Sequence, residues 1–152
     1  YKHAKAKRMT CNEFLTLIKS RGAIIAPPAG LSHLSVANNS LQRYRCAMLP
    51  LFMTELYTHT GGINLGSGYI FGPSEIAQGI RTPVPSIIDI NEKILYMGKN
   101  RGKTIFGRND LFWFCFDVFG TCYMLDNLTL NPLRKYDDPY RAMLDCLIAG
   151  KM

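Results

Sequence analysis

From Thr104 to Asp126 the chain alternates short apolar runs with turn residues, a spacing that predicts three consecutive strands. Thr104–Gly107 is the first, Leu111–Asp117 the second and Thr121–Leu125 the third. Asn109-Asp110 marks one turn and Val118-Phe119-Gly120 the other, with Gly120 placed to take positive φ. The middle run, Phe112-Trp113-Phe114-Cys115-Phe116, suits a strand packed on at least one face. Turns this short join antiparallel neighbours, because a parallel crossover needs a dozen or more residues. The segment therefore reads as a meander at the centre of a sheet.

The flanking pattern is mainly helical. Phe14, Leu15, Leu17 and Ile18 give Cys11–Ser20 one broad apolar face, with Thr10 and Glu13 spaced as a capping box. Ile24-Ile25 is a brief extended piece, and Pro27-Pro28 then forbids regular structure. Ser32–Asn39 reads as loop, with Ser40 capping a turn of helix over Leu41–Ala47. Pro50–Thr58 is a clearer helix, burying Leu49, Phe52, Met53 and Leu56, with Tyr57 extending that face; Gly61-Gly62 follows its end. Irregular glycine-rich chain leads to a short strand at Tyr69–Phe71 and a helical turn at Ser74–Gln78. Ser86 caps a helix over Ile87–Met97, whose first residues, Ile87–Ile90, also fit a strand. Gly98–Gly102 is a basic turn into the meander. Leu128–Lys135 adds an edge strand that tolerates Pro132, and Asp137-Asp138-Pro139 starts a last helix running to about Ala149. The sum is a single α+β domain: a central, mostly antiparallel sheet (meander about 104–126) flanked by helices.

Composition narrows the class. With 152 residues, 47% hydrophobic and 19% charged, the chain suffices for one domain with a real core and is not of the disordered kind. It holds no apolar run of the roughly 20 residues that a spanning helix needs, and no secretory leader pattern. The net charge of +7 is uneven. Lys2, Lys5, Lys7 and Arg8 precede Met9, so residues 1–8 read as a basic extension, native or not, ahead of a domain spanning 9–152. Cys11, Cys46, Cys115, Cys122 and Cys146 are scattered, with no C-x-x-C pair, and read as reduced thiols of a cytoplasmic protein. His3, His33 and His59 are isolated, so no metal or cofactor is expected.

Candidate chemistry is sparse. Asp110, Asp117 and Asp126 are close enough in sequence for acid/base work, but each sits at a strand end, where Asp bonds turn amides. Gly61–Gly68 is glycine-rich but lacks the G-K-[ST] ending of a phosphate loop. Cys115 with His59 would make a nucleophile and base, yet nothing adjacent in sequence depresses the thiol's pKa. The aromatic run invites comparison with base-stacking platforms, but Lys and Arg are absent between Leu111 and Tyr123, so a core role is favoured. Lys99, Arg101, Lys103 and Arg108 form a basic cluster at the meander's start, suited to a solvated turn or to an acidic partner.

The order of these features resembles a known family. Leu49-Pro50-Leu51-Phe52-Met53-Thr54-Glu55-Leu56-Tyr57 followed by Gly61-Gly62 resembles the L-P-x-x-x-x-x-L-Y-x-x-x-G-G entry helix of the SUKH superfamily, the SMI/KNR-like proteins. Phe106-Gly107-Arg108-Asn109-Asp110, then Trp113-Phe114-Cys115-Phe116-Asp117, Gly120 and Tyr123-Met124-Leu125, resemble its central strands and their F-x-x-D-x-x-G-x-x-Y pattern. The likeness covers about Leu49 to Ile148 and is greatest to the YrhA-like enterobacterial branch. It implies an α+β fold and a bacterial immunity protein that binds and neutralises a toxin, without catalytic residues. Many nuclease-neutralising members are acidic. From Met9 on, this chain is mildly basic, which leaves a toxin with an acidic surface, or no toxin at all.

The favoured expectation is a non-enzymatic, cytoplasmic binding protein whose partner is a cognate toxin. Lys99, Arg101, Arg108, Arg134 and Lys135 are its candidate contacts, with Tyr136 as an aromatic anchor. Catalytic, cofactor and metal residues are expected to be none. Ranked behind it are a nucleic-acid-associated protein using the basic amino-terminal arm, and a small enzyme using Asp117 or His59 near the glycine-rich loop.

Overall fold

The computed structural model describes residues 8–74, 84–95 and 102–148. In chain order these form α1 (Cys11–Ser20), β1 (Ile24–Ile25), α2 (Leu31–Arg43), α3 (Leu51–Tyr57), β2 (Ile63–Leu65), β3 (Gly68–Ile70) and α4 (Ile87–Leu95). β4 (Lys103–Arg108), β5 (Phe112–Asp117), β6 (Cys122–Asp126), β7 (Pro132–Tyr136) and α5 (Pro139–Ile148) complete the set. The seven strands make one sheet in sequence order, and each pairs antiparallel with the next. This is the expected α+β architecture, with the meander at 104–126 extended on both sides. No described helix is long and apolar enough to cross a membrane.

The predicted caps are present. Thr10 Oγ1 accepts from Glu13 N at 3.1 Å, and Glu13 Oε1 accepts from Thr10 N at 2.9 Å, closing the capping box of α1. Ser86 Oγ accepts from Ile88 N at 3.0 Å, and Ile87–Ile90 is helix, not strand. Asp138 Oδ1 accepts from Tyr140 N at 3.0 Å at the start of α5. Glu75–Gln78 and Tyr96–Arg101 lie outside the described residues.

Two regions differ from the sequence reading. Residues 32–39 are not loop but most of α2. Ser32, Ser35, Asn38 and Asn39 are mediocre helix formers, but Ala37 and Leu41 bury one face completely and Ser40 turns inward with them. Burial overrides propensity, and Ser40 is a helix-interior residue rather than a cap. The glycine-rich stretch is not irregular either: β2 and β3 form a hairpin around Gly66, whose φ is +59°. Asn64 Nδ2 donates to Gly66 O and Gly68 O at 3.1 and 3.0 Å and fixes that turn. Three-residue strands are too short to show an alternation.

Register separates the two sheet faces. Ile70, Gly107, Phe114, Met124 and Arg134 are cross-strand neighbours on the first, as are Thr104, Phe116, Cys122 and Tyr136. Phe52 of α3 meets Phe106 and Phe116 edge-on at 6.4 and 5.9 Å, and Phe14 of α1 stacks on Tyr140 of α5 at 5.2 Å. α5 comes down onto the backbone itself. A Cβ on Gly68 would lie 2.6 Å from Cys146 O and 2.9 Å from Leu147 Cα, so glycine is required for that approach. The second face carries Tyr69, Arg108, Trp113 and Leu125 in one line and Ile105, Cys115, Tyr123 and Lys135 in another.

The sheet has an internal gap, and α4 fills it. β3 pairs with β4 at Tyr69–Arg108 and Ile70–Gly107, and Phe71 N donates to Phe106 O at 2.8 Å before the two diverge. Beyond that point the Ile105 backbone bonds to a side chain. Asn91 Oδ1 accepts from Ile105 N and Asn91 Nδ2 donates to Ile105 O, both at 2.9 Å. Asn91 is fully buried, and its amide takes the place of a strand. Asn91→Leu leaves both Ile105 groups unpaired in the core. We expect it to destabilise the fold by roughly 3 kcal/mol in urea unfolding. A loss below about 1 kcal/mol would contradict this role.

Candidate binding surface

The residues expected to bind a partner do not form one patch. Lys99 and Arg101 lie outside the described residues. Strand alternation in β7 separates the rest. Arg134 and Tyr136 point to the first face, where Arg134 Nη1 donates to Asp145 Oδ2 at 2.8 Å. The Tyr136 hydroxyl donates to the same oxygen at 2.7 Å, beneath the Arg134 guanidinium, which lies 4.7 Å from its ring centroid. Tyr136 is buried, and burial first, then Asp145, raises the pKa of its phenol. Its ring belongs to the core rather than standing out as an anchor. Lys135 and Arg108 are exposed on the second face.

Two of the three aspartates are turn residues, as the local preferences indicated. Asp117 Oδ1 accepts from Phe119 N and Thr121 N at 2.9 and 3.0 Å, and Asp126 Oδ1 accepts from Leu128 N and Thr129 N at 2.8 and 2.9 Å. Those amides hold the Asp126 carboxyl below its ordinary pKa. At the first turn it is Asn109, not Asp110, whose Oδ1 accepts from Leu111 N and Phe112 N, both at 2.9 Å. Cys115 and His59 are not brought together as nucleophile and base. His59 is exposed past the end of α3, Cys115 is fully buried in the sheet, and no hydrogen bond joins them among the described residues. Burial pushes the Cys115 thiol up to about 12 and Cys46 to about 11, and raises Cys11, Cys122 and Cys146 as well.

What the structure does assemble is an apolar ridge. Leu51 is 84% exposed and Phe119 88%, with Val118 at 66% and Met48 at 49% beside them. Local geometry puts them there. Pro50 is the N-cap of α3, so Leu51 opens the helix on its outer side, opposite Met53 and Leu56. Asp117 ties the β5–β6 turn, Gly120 takes φ +78°, and Val118-Phe119 is left projecting at the tip. A Cβ on Gly120 would lie 3.4 Å from Pro50 Cβ, so the turn rests against the start of α3 and makes the two apolar tips one surface.

Two depressions flank the ridge. One of about 610 Å³ lies between the turn, α3 and the β7–α5 junction, where Arg8, Glu55, Lys135 and Asp137 form the charged rim. Another of about 510 Å³ lies towards the end of α2, lined by Arg45, Met48 and Val118 among others. Glu55 accepts from the Tyr140 hydroxyl at 3.1 Å, so the rim of the first depression carries charges of both signs, and Arg45 adds a further cation at the other. The sequence held a signal for this surface: Leu51 falls outside the buried face read for its helix, and two apolar residues occupy a turn tip.

The chain matches no known protein-family profile, and no curated protein matches its sequence.

The buried thiols generate a test. A thiol whose pKa is raised by folding stays protonated in the folded chain while the unfolded chain ionises. For Cys115 that window runs from the ordinary 9.0 to about 12, and stability falls as pH rises through it. At pH 8 the five thiols are expected to resist a thiol reagent in the native protein and to react together in denaturant. Rapid stoichiometric labelling of any one in the native state would contradict the placement.

Proposed function

We propose that this chain is a non-enzymatic binding protein of the SUKH immunity type that neutralises a cognate bacterial toxin by covering its working surface. The observation that carries the reading is the Leu51–Phe119 ridge. Large apolar side chains this exposed, held on a rigid turn and a helix start, are the anchors of a protein interface. The mixed rim, Arg8, Arg45 and Lys135 with Glu55 and Asp137, adds charges that set the orientation of a partner with complementary ones.

The residues that suggested the family also build the ridge. Within Phe114-x-x-Asp117-x-x-Gly120-x-x-Tyr123, Asp117 and Gly120 shape the turn that presents Phe119. The Tyr123 hydroxyl donates to Asp117 Oδ2 at 3.3 Å and braces that carboxylate. Leu49-Pro50 sets the start of α3, and the Tyr57 hydroxyl donates to Phe71 O at 2.5 Å, anchoring the other end of that helix to the sheet. A pattern that looks like a family signature therefore supports a presented surface rather than a reactive centre.

Capture from the native host tests the reading, with the wild-type chain and the Leu51→Glu and Phe119→Glu variants as baits. Both sites are exposed, so both variants should unfold at the wild-type midpoint. Wild type is expected to retain one stoichiometric partner whose toxicity it suppresses, and each variant to bind that partner about 30-fold more weakly. Undiminished binding by both variants, or no stoichiometric partner, would contradict the proposal.

A further inference from the structure

Apart from Lys135, which also reaches the rim of the first depression, the second sheet face carries a pattern that the ridge leaves unused. On it the Arg108 guanidinium carbon lies 5.6 Å from the Trp113 ring centroid, and Lys103 Nζ lies 5.5 Å from that of Tyr123. Tyr69 is the cross-strand neighbour of Arg108 on its other side, and Lys135 that of Tyr123. Tyr69, Trp113 and Tyr123 are half-buried, so their rings are fixed on the sheet and still reach solvent. Asp117, beside Lys103, is the one carboxylate on these cross-strand lines. Its oxygens are already engaged by Phe119 N, Thr121 N and the Tyr123 hydroxyl. Three cations thus alternate with three rings across five strands.

We propose that this face binds single-stranded nucleic acid. Bases stack on the exposed parts of the Trp113, Tyr69 and Tyr123 rings and on the Arg108 guanidinium plane. The phosphates are drawn by Lys103, Arg108 and Lys135. An acidic protein would satisfy the cations but has no use for rings set between them. A duplex hides the base faces that the rings would meet. Along β5 alone the pattern is invisible, because no Lys or Arg lies between Leu111 and Tyr123. Antiparallel pairing supplies them from β4 and β7. Stacking of this kind tolerates any base, so little sequence preference is expected.

Trp113 is the chain's one tryptophan, so its fluorescence reports on this face directly. The experiment titrates the full chain at low salt with an oligouridylate of about 12 nucleotides, within the usual span of one such domain. The expected result is saturable quenching that weakens steeply with salt. Arg108→Gln should reduce affinity about tenfold and lower the salt slope by about 0.7. Lys135→Gln, at an exposed position on the edge strand, should lower the slope alike while leaving the unfolding midpoint unchanged. Absence of quenching would overturn the proposal. So would binding seen by anisotropy without quenching, which would place the strand elsewhere, on the basic amino-terminal arm for example. Equal binding of a duplex or of polyglutamate would also overturn it, because the face would then act only as a general anion surface.

Discussion

A buried amide holds this sheet together at its weakest point. Where β3 leaves β4, the Ile105 N–H and C=O would face the core unpaired, and each such group costs about 1–3 kcal/mol. Asn91 satisfies both with one side chain and also donates to Ile87 O at 2.8 Å, so the amide is locked to its own helix. Against a domain stability of about 5–15 kcal/mol, that loss is a large fraction of the whole. α4 is therefore part of the sheet's hydrogen bonding as much as a layer beside it. The Tyr44 hydroxyl donates to Glu92 Oε2 at 3.0 Å and extends the connection to the end of α2.

With that gap closed, the two faces have different duties. The first is occupied by α1, α3 and α5, and its glycines let α5 lie directly on the strands. The second keeps rings and cations within reach of solvent. The β5–β6 turn belongs to neither: Asp117 and Gly120 fold it against Pro50, and that contact creates the ridge. The same aspartate braces Tyr123 on the second face, so a single carboxylate links both proposed binding surfaces.

The meander and the end helices were legible because their signals are local. Gly120, the Thr10–Glu13 box and Asp138-Pro139 act on their immediate neighbours, and the strands they bound are long enough to show a pattern. α2 was not legible, because Ala37 and Leu41 are buried by elements far along the chain while Ser and Asn give the local signal. The candidate contacts were chosen by charge. Charge alone does not say that Arg134 would be spent on Asp145 and Tyr136, or that Lys135 beside it would face the other way. The Arg108–Trp113 pair depends on register, which a single strand does not reveal.

The central claim is that partner binding centres on the ridge formed by α3 and the β5–β6 turn. Amide hydrogen exchange tests it most directly, comparing the chain alone with the chain saturated by its captured partner. The account predicts new protection concentrated at residues 48–55 and 117–122, with α5 and β2 unchanged. Protection confined instead to Ile24–Ile25, or to the Arg134–Tyr136 edge, would contradict it.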